Sequence, residues 1–403
     1  MPRHSSRDGF FRNRKDTDSH ISTLRDLYEQ ANEAWRPVAA GTWTSLYVAE
    51  GGSLMQCGFA SDSLNISEAE VNTIPTAMPS MVGIRMRAVS SASGFSAAIS
   101  SDWVLYTWGI CTDGRLGHGA NVFSVVPMKV LALSNFQIQS VALGFRHCIA
   151  VTDFGGVFSW GINTHGQCGH GMKSAIVQTP QSVLALVGIR VRNASAGRAH
   201  SLVVTKEGVV YSFGCGRFGQ LGYNSDIECS PNILMGLSTE HIIASTATGK
   251  NHSLALTVEG KVYAWGENNR CQVGARIHDI AAYSPRAVDT QTLGFESYTV
   301  QVAAGGDSSC VVSNAGLLST WGSGESGMLG HGDSNNQDSP VVVNSLRELK
   351  QLVIAVSMSL ISTVAVTADG SVFGWGNATS LGKQSPHAIT KPLKLDVRCS
   401  LEL

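Results

Sequence analysis

Gly144-Phe-Arg-His147-Cys-Ile-Ala-Val-Thr152, a turn at Gly155-Gly156, Phe158-Ser159-Trp160-Gly161, and then Asn163-Thr-His-Gly166-Gln167-Cys-Gly169: this stretch states the unit from which the chain is built. The aromatic, Trp and Gly string recurs as Tyr106-Thr107-Trp108-Gly109, Tyr263-Ala264-Trp265-Gly266 and Phe373-Gly374-Trp375-Gly376. Weaker copies are Ser319-Thr320-Trp321-Gly322, Tyr211-Ser212-Phe213-Gly214 and Met55-Gln56-Cys57-Gly58. The seven closing glycines, at 58, 109, 161, 214, 266, 322 and 376, are 51 to 56 residues apart, a regular period of the kind that marks a repeat architecture.

Each unit reads as four short strands. The segment from Gly144 to Thr152 has counterparts in Gly197-Arg-Ala-His200-Ser-Leu-Val-Val-Thr205 and Gly249-Lys-Asn-His252-Ser-Leu-Ala-Leu-Thr257, and a Gly turn joins it to the Trp-Gly strand. A loop then ends in Leu-Gly or a variant, as at Leu221-Gly222. Next comes Pro-x-x-aliphatic, at Pro79/Val82, Pro127/Val130, Pro180/Val183, Pro231/Leu234, Pro285/Val288, Pro340/Val343 and Pro392/Leu395. Proline at a strand start suits an edge strand, because it donates nothing to a ladder. A short apolar run such as Gln139-Ser-Val141-Ala142 supplies the fourth strand.

Seven four-stranded units predict an all-β, seven-bladed propeller over residues 37–403. The C-terminal strand at Pro392–Val397 is expected to complete the blade begun near Pro37, so that N- and C-terminal strands close the ring. Residues 1–36 form an extension with a basic start. Within it, Ile21, Leu24, Leu27, Tyr28 and Ala31 fall at helical spacing over about 19–35 before Arg36-Pro37 ends the run. That helix either packs on the ring or binds a partner.

Lys plus Arg number 29 against 30 Asp plus Glu, so the net charge of -1 lacks the one-sign field that phosphate contacts demand. RNA or DNA contact is confined to the basic residues 1–15. Nine scattered Cys without a C-x-x-C pair signal neither a zinc site nor a disulfide framework, which suits a reducing compartment. With no membrane-length apolar run and no apolar signal region, the reading is an intracellular protein, cytoplasmic first, with nucleus and mitochondrion as alternatives.

Candidate chemistry gives way to the repeat. Gly214-Cys-Gly216-Arg-Phe-Gly219 and Gly322-Ser-Gly324-Glu-Ser-Gly327 fit a dinucleotide pattern, yet neither opens a helix in a βαβ unit. His147, His200 and His252 sit on successive blades, which should hold them apart and leave each bonded to its own loop backbone rather than to a metal. No cofactor, metal ligand set or catalytic residue is assigned. What varies between units is the pair before each His and the pair after each Trp-Gly. The first ring offers Trp43, Phe145, Arg146, Arg198, Lys250, Asn251 and Asp307; the second offers Arg217, Phe218 and Arg270. Exposed aromatic and Arg side chains are the types that dominate binding hot spots, so these ten are the candidate partner-binding residues, with ordinary solvated loops as the alternative.

The Gly-x-x-His strand, the aromatic-x-Trp-Gly strand and the Asn-x-x-Gly-Gln-Leu-Gly loop resemble the regulator of chromosome condensation repeat. Units three to five carry the pattern best, in Asn163–Gly169 and in Gly216-Arg-Phe-Gly219-Gln220-Leu221-Gly222. The resemblance covers residues 38 to about 397 and implies a seven-bladed propeller. Its members include an exchanger for the small GTPase Ran, a plant ultraviolet-B receptor, ubiquitin-ligase modules, ciliary scaffolds and organellar proteins, so the fold leaves the role open. An exchanger would call for acidic residues before the loop His, where Arg146, Ala199 and Asn251 stand. The resulting expectation is a non-enzymatic scaffold or adaptor that meets a protein partner at a propeller rim, alone or in a larger assembly. Guanine-nucleotide exchange on a small GTPase and ribonucleoprotein association are the alternatives.

Overall fold

A computed structural model describes residues 36–59, 71–119, 123–276, 279–291, 297–399 and 401. The helix read at 19–35 and the basic residues 1–15 lie outside them. Seven separate four-stranded antiparallel sheets follow in chain order, over 38–77, 86–129, 138–182, 191–233, 243–288, 299–342 and 353–398. Blade three is typical, running from inner to outer strand as Ile138–Leu143, His147–Thr152, Val157–Asn163 and Ser174–Ser182. Its second strand is buried along its whole length, and the outer strand is largely exposed. Among the described residues no helix is long and apolar enough to cross a membrane.

The core lies between blades. Trp108, Trp160, Trp265, Trp321 and Trp375, with Phe213 and Cys57 in the same register, are fully buried. The glycine after each is obligatory. Gly161 has φ +103°, and a Cβ there would stand 2.5 Å from the Arg146 carbonyl oxygen. Only glycine lets the third strand pass that close to the turn before His147.

Opposite each Trp the outer strand bulges. Ser159 pairs with Gln181 and Gly161 with Val177, so three residues ending in Pro180 face Trp160 alone. The same shift puts Pro127, Pro231, Pro285, Pro340 and Pro392 at the end of a bulge. Proline, which has no N–H to give, is tolerated there because the bulge takes its position out of the regular register of an edge strand. It therefore sits inside the outer strand rather than at its start. In blade one the residue is Pro75, between Thr76 paired with Gln56 and Asn72 paired with Gly58. Pro79, assigned to this place by spacing, instead begins the 3-10 turn Pro79–Met81 in the connector to blade two.

The termini close the ring, but without sharing a blade, since every blade is built from four consecutive strands. Closure is a contact between blades seven and one. Cys399 bridges Ala49, the Ala40 N–H donates to Ser357 Oγ at 3.1 Å, and Ser45 Oγ donates to the Ser380 carbonyl at 2.9 Å.

Gly161→Ala should lower stability by about 3 kcal/mol or more, as steric conflict adds to the cost of a positive φ. Gly188→Ala should cost only about 1 kcal/mol, because Gly188 has φ +86° but open space around its Cβ position. Urea denaturation of the two variants tests this; equal losses would contradict the close approach.

Candidate interaction surface

The frame behind the loops is a set of ties between blades. The Gln220 carbonyl of blade four accepts from Trp265 Nε1 at 2.9 Å and from Ser253 Oγ at 2.8 Å, both in blade five. The Gln272 carbonyl accepts in the same way from Trp321 and Ser309, and the Met328 carbonyl from Trp375 and Thr363. Each loop histidine joins this scheme. His147 Nε2 lies 2.9 Å from Ser201 Oγ, His200 Nε2 3.1 Å from Ser253 Oγ, and His252 Nε2 2.9 Å from Ser309 Oγ.

Because each serine spends its proton on a carbonyl, the histidine must donate, which fixes the Nε2–H tautomer. Burial pushes His147 down to about 4 and His200 and His252 to about 3, so all three are neutral at pH 7. The expected bond to the histidine's own loop backbone is thus corrected: the partner is the serine of the next blade. Among the described residues no group of three or more His, Cys, Asp and Glu is placed to hold a metal ion. None of the nine cysteines forms a disulfide, and burial raises Cys57 to about 11 and Cys168 to about 12.

On this frame the two variable rings emerge at one face. In an antiparallel meander the turn between inner and second strands and the loop between third and outer strands leave at the same end. Backbone bonds lace the first ring together, from Phe145 N–H to Gly197 O, Arg198 N–H to Lys250 O and Lys250 N–H to Gly306 O. They hold Phe145, Arg198, Lys250 and Asp307, from four successive blades, around a funnel of about 510 Å³ at the mouth of the channel. Leu143, Met358 and Ile361 add apolar surface to its lining, and Glu325 comes to it from the second ring.

Inside the mouth, the Arg198 guanidinium lies 5.9 Å from the Phe145 ring centroid. Lys250 Nζ is 3.8 Å from Asp307 Oδ2, and Asp307 Oδ1 is buried with no partner among the described residues. Burial raises the Asp307 carboxyl above its ordinary value, and Lys250 offsets part of that rise.

The remaining predicted residues do not line the funnel. Arg146 turns away to Asp113 of blade two, at 2.5 Å. Asn251 is no surface residue: it is buried and donates from Nδ2 to Glu267 Oε2 at 2.9 Å, clasping the two rings together. Trp43 is half-buried, and its neighbour Thr42 lines the funnel in its place. Arg217, Phe218 and Arg270 are exposed in the second ring, outside the funnel.

Asp113 and Arg115 were not among the candidates. Arg115 grips the buried Asp113 through both carboxylate oxygens and also bonds the Ser93 carbonyl. Burial works to raise the Asp113 carboxyl, but Arg115 and Arg146 outweigh it and hold the group below its usual range. The signal was present: Arg115 stands where Gln167, Gln220 and Gln272 stand in later units.

The regulator of chromosome condensation (RCC1) repeat model matches residues 104–151, 155–204, 207–256, 259–312 and 315–365. The chain belongs to the RCC1 repeat family. It is 31% identical over 348 residues to the ultraviolet-B receptor UVR8 of Arabidopsis thaliana, covering 85% of this chain and 77% of that protein. It is 30% identical over 385 residues to the Homo sapiens E3 ubiquitin-protein ligase HERC2, covering 93% of this chain but only 8% of HERC2. Among solved structures, yeast RCC1 (Prp20) bound to Kap60 aligns with a TM-score of 0.75 at 20% identity, over 92% of this chain and 86% of that one. This structural likeness speaks for the fold alone.

The neutral histidines make RCC1-type packing acid-sensitive. An unfolded histidine takes up a proton below about pH 6.5, whereas His147, His200 and His252 refuse it until about 4 or 3. Stability should therefore fall as pH drops through 6.5, by about 2 kcal/mol per histidine at pH 5. His252→Gln should remove one such share, flattening the urea midpoint against pH; a slope equal to that of the parent chain would contradict it.

Proposed function

We propose that this propeller is a non-enzymatic interaction module that docks a protein partner on the funnel face. The observation that carries the reading is the convergence of Phe145, Arg198, Lys250 and Asp307, from four blades, on one concave mouth whose backbone is fixed by interblade bonds. A rigid loop ring with an aromatic ring, a guanidinium and an unsatisfied carboxylate oxygen has the composition of a hot spot. Yeast Prp20p, which shares the fold, was studied for its binding properties to Gsp1p and histones. The partner, the compartment and any larger assembly belong to this proposal. HERC2 is far longer than this chain, and its ligase activity is not carried over.

Phe145→Ala/Arg198→Ala in the full chain should weaken capture of its partners by at least about thirtyfold, the effect of losing about 2 kcal/mol, with an unchanged melting temperature. Quantitative affinity purification with both chains reads this directly. An unchanged partner set at equal stability would overturn the assignment of the face.

A further inference from the structure

The loop after the third strand of blade two departs from the repeat in its charge. In blades three, four and five a neutral amide closes that loop. Gln167 Oε1 accepts from the His165 N–H at 2.9 Å, Gln220 Oε1 from Phe218 at 2.9 Å and Gln272 Oε1 from Arg270 at 2.8 Å. Blade two has Arg115 at this position, which has no acceptor to offer, and Asp113 two residues before it. Arg115 donates from Nε to Asp113 Oδ1 at 2.6 Å and from Nη2 to Oδ2 at 2.5 Å, and its Nη1 donates to the Ser93 carbonyl at 3.1 Å. Both side chains are buried. A buried ion pair adds little net stability over a neutral substitute, so closing the loop does not account for the exchange.

What the pair does is hold Arg146. Arg115 already balances the Asp113 charge, yet Asp113 Oδ2 also accepts from Arg146 Nε at 2.5 Å, across the junction with blade three. One carboxylate between two guanidinium groups leaves one positive charge over. It sits on Arg146, whose side chain is 44% exposed. Among the described residues the Nη groups of Arg146 have no hydrogen-bond partner. A guanidinium fixed at Nε has given up its rotamer freedom before a ligand arrives, and it keeps a two-donor edge that matches a carboxylate. Arg146 directly follows Phe145, and the Arg198 guanidinium lies 5.9 Å from the Phe145 ring. Asp307 and Glu325 stand in blade six, so the face favours an anion at blades two and three and opposes one on the other side.

Resting on the docking function proposed above, we infer that Arg146 is a pre-set receptor for a carboxylate of the protein partner, with Asp113 as its positioning residue. The partner brings an Asp or Glu side chain to the junction of blades two and three, where Arg146 takes it through Nη1 and Nη2. Neighbouring residues of the same segment enter the funnel. Asp113 and Arg115 do not touch the ligand; they set the direction of the group that does. The site thereby fixes which way round a partner docks.

Selection of displayed random dodecapeptides on the full chain tests this. The parent should enrich Asp and Glu over the starting library, and the selected peptides should bind Arg146→Gln at least about tenfold more weakly, at an unchanged melting temperature. Arg146→Lys should not restore the affinity, because an ammonium keeps the charge but not the two-donor edge. If Arg146→Gln also melts early, Arg146→Lys decides alone. Asp113→Asn should weaken the acidic peptides while acid-free ones bind as before, a split that loss of stability would not produce. Full affinity in the lysine variant overturns the inference. Peptides without acidic enrichment that Phe145→Ala/Arg198→Ala nonetheless loses would leave the docking face standing and overturn the role of Arg146 alone. A parent chain that selects no peptide overturns both. Tighter binding of a single-stranded DNA oligonucleotide than of any peptide, lost in Arg146→Gln, would assign the cation to phosphate and overturn it as well.

Discussion

Among the described residues a backbone carbonyl of six blades leaves its own sheet and points into the blade that follows: Arg115, Gln167, Gln220, Gln272, Met328 and Ser380. A buried carbonyl without a donor costs about 1–3 kcal/mol, so the following blade must bring one. A second-strand Ser, Thr or Cys does so every time, and an indole N–H is added at Trp160, Trp265, Trp321 and Trp375. Tryptophan therefore serves twice, as volume between the sheets and as a donor. Where Phe213 replaces it, Ser201 alone serves Gln167. Blade one is the most divergent, because Cys57 supplies neither the volume nor the indole. There the second-strand Tyr47 is fully buried, its hydroxyl 3.2 Å from Cys57 Sγ.

This tie explains why the histidines are structural. Placed beside the serine that holds the carbonyl, His147, His200 and His252 extend the same network one step toward the mouth. Their rings pack on Gly144, Gly197 and Gly249, where a Cβ would stand about 2 to 3 Å from the ring. Desolvation keeps them neutral, and their Nδ1 atoms are buried without a partner. A group so enclosed cannot reach a substrate. What it does is hold the Gly-x segment above it at a fixed height, so the residues at that x position can vary freely without loss of the ring.

The repeat was legible because glycine at positive φ, tryptophan and proline are each demanded by geometry that recurs in every blade. The misread parts were those that spacing alone cannot decide. Pro75 and Pro79 both lie within the tolerated interval, and only the strand register shows that Pro75 faces Cys57. Asn251 occupies a variable position, as Arg198 and Lys250 do, but its short amide meets Glu267 across the rings and is drawn inward. The histidine's partner lies some 53 to 57 residues away in the next blade, beyond the reach of local reasoning. Likewise, sequence shows two variable rings but not that both open on one face; that follows from the direction of each strand.

Charge on the funnel face is divided rather than uniform. Blades three and four bring Arg146, Arg198 and Arg217, and the positive charges of Arg217, Lys173 and Arg198 add to burial in lowering His165. Blades five and six bring Glu267, Asp307 and Glu325, with Lys250 and Arg270 between. A near-neutral chain can thus present both signs on one face while keeping no net field. Such an arrangement contributes little to raw attraction at a distance, where salt screens opposite charges together. It contributes more once a partner is seated, because a reversed orientation would set like charges against each other. The rigid carbonyl ties beneath make that penalty effective, since loops that cannot yield cannot relieve the repulsion.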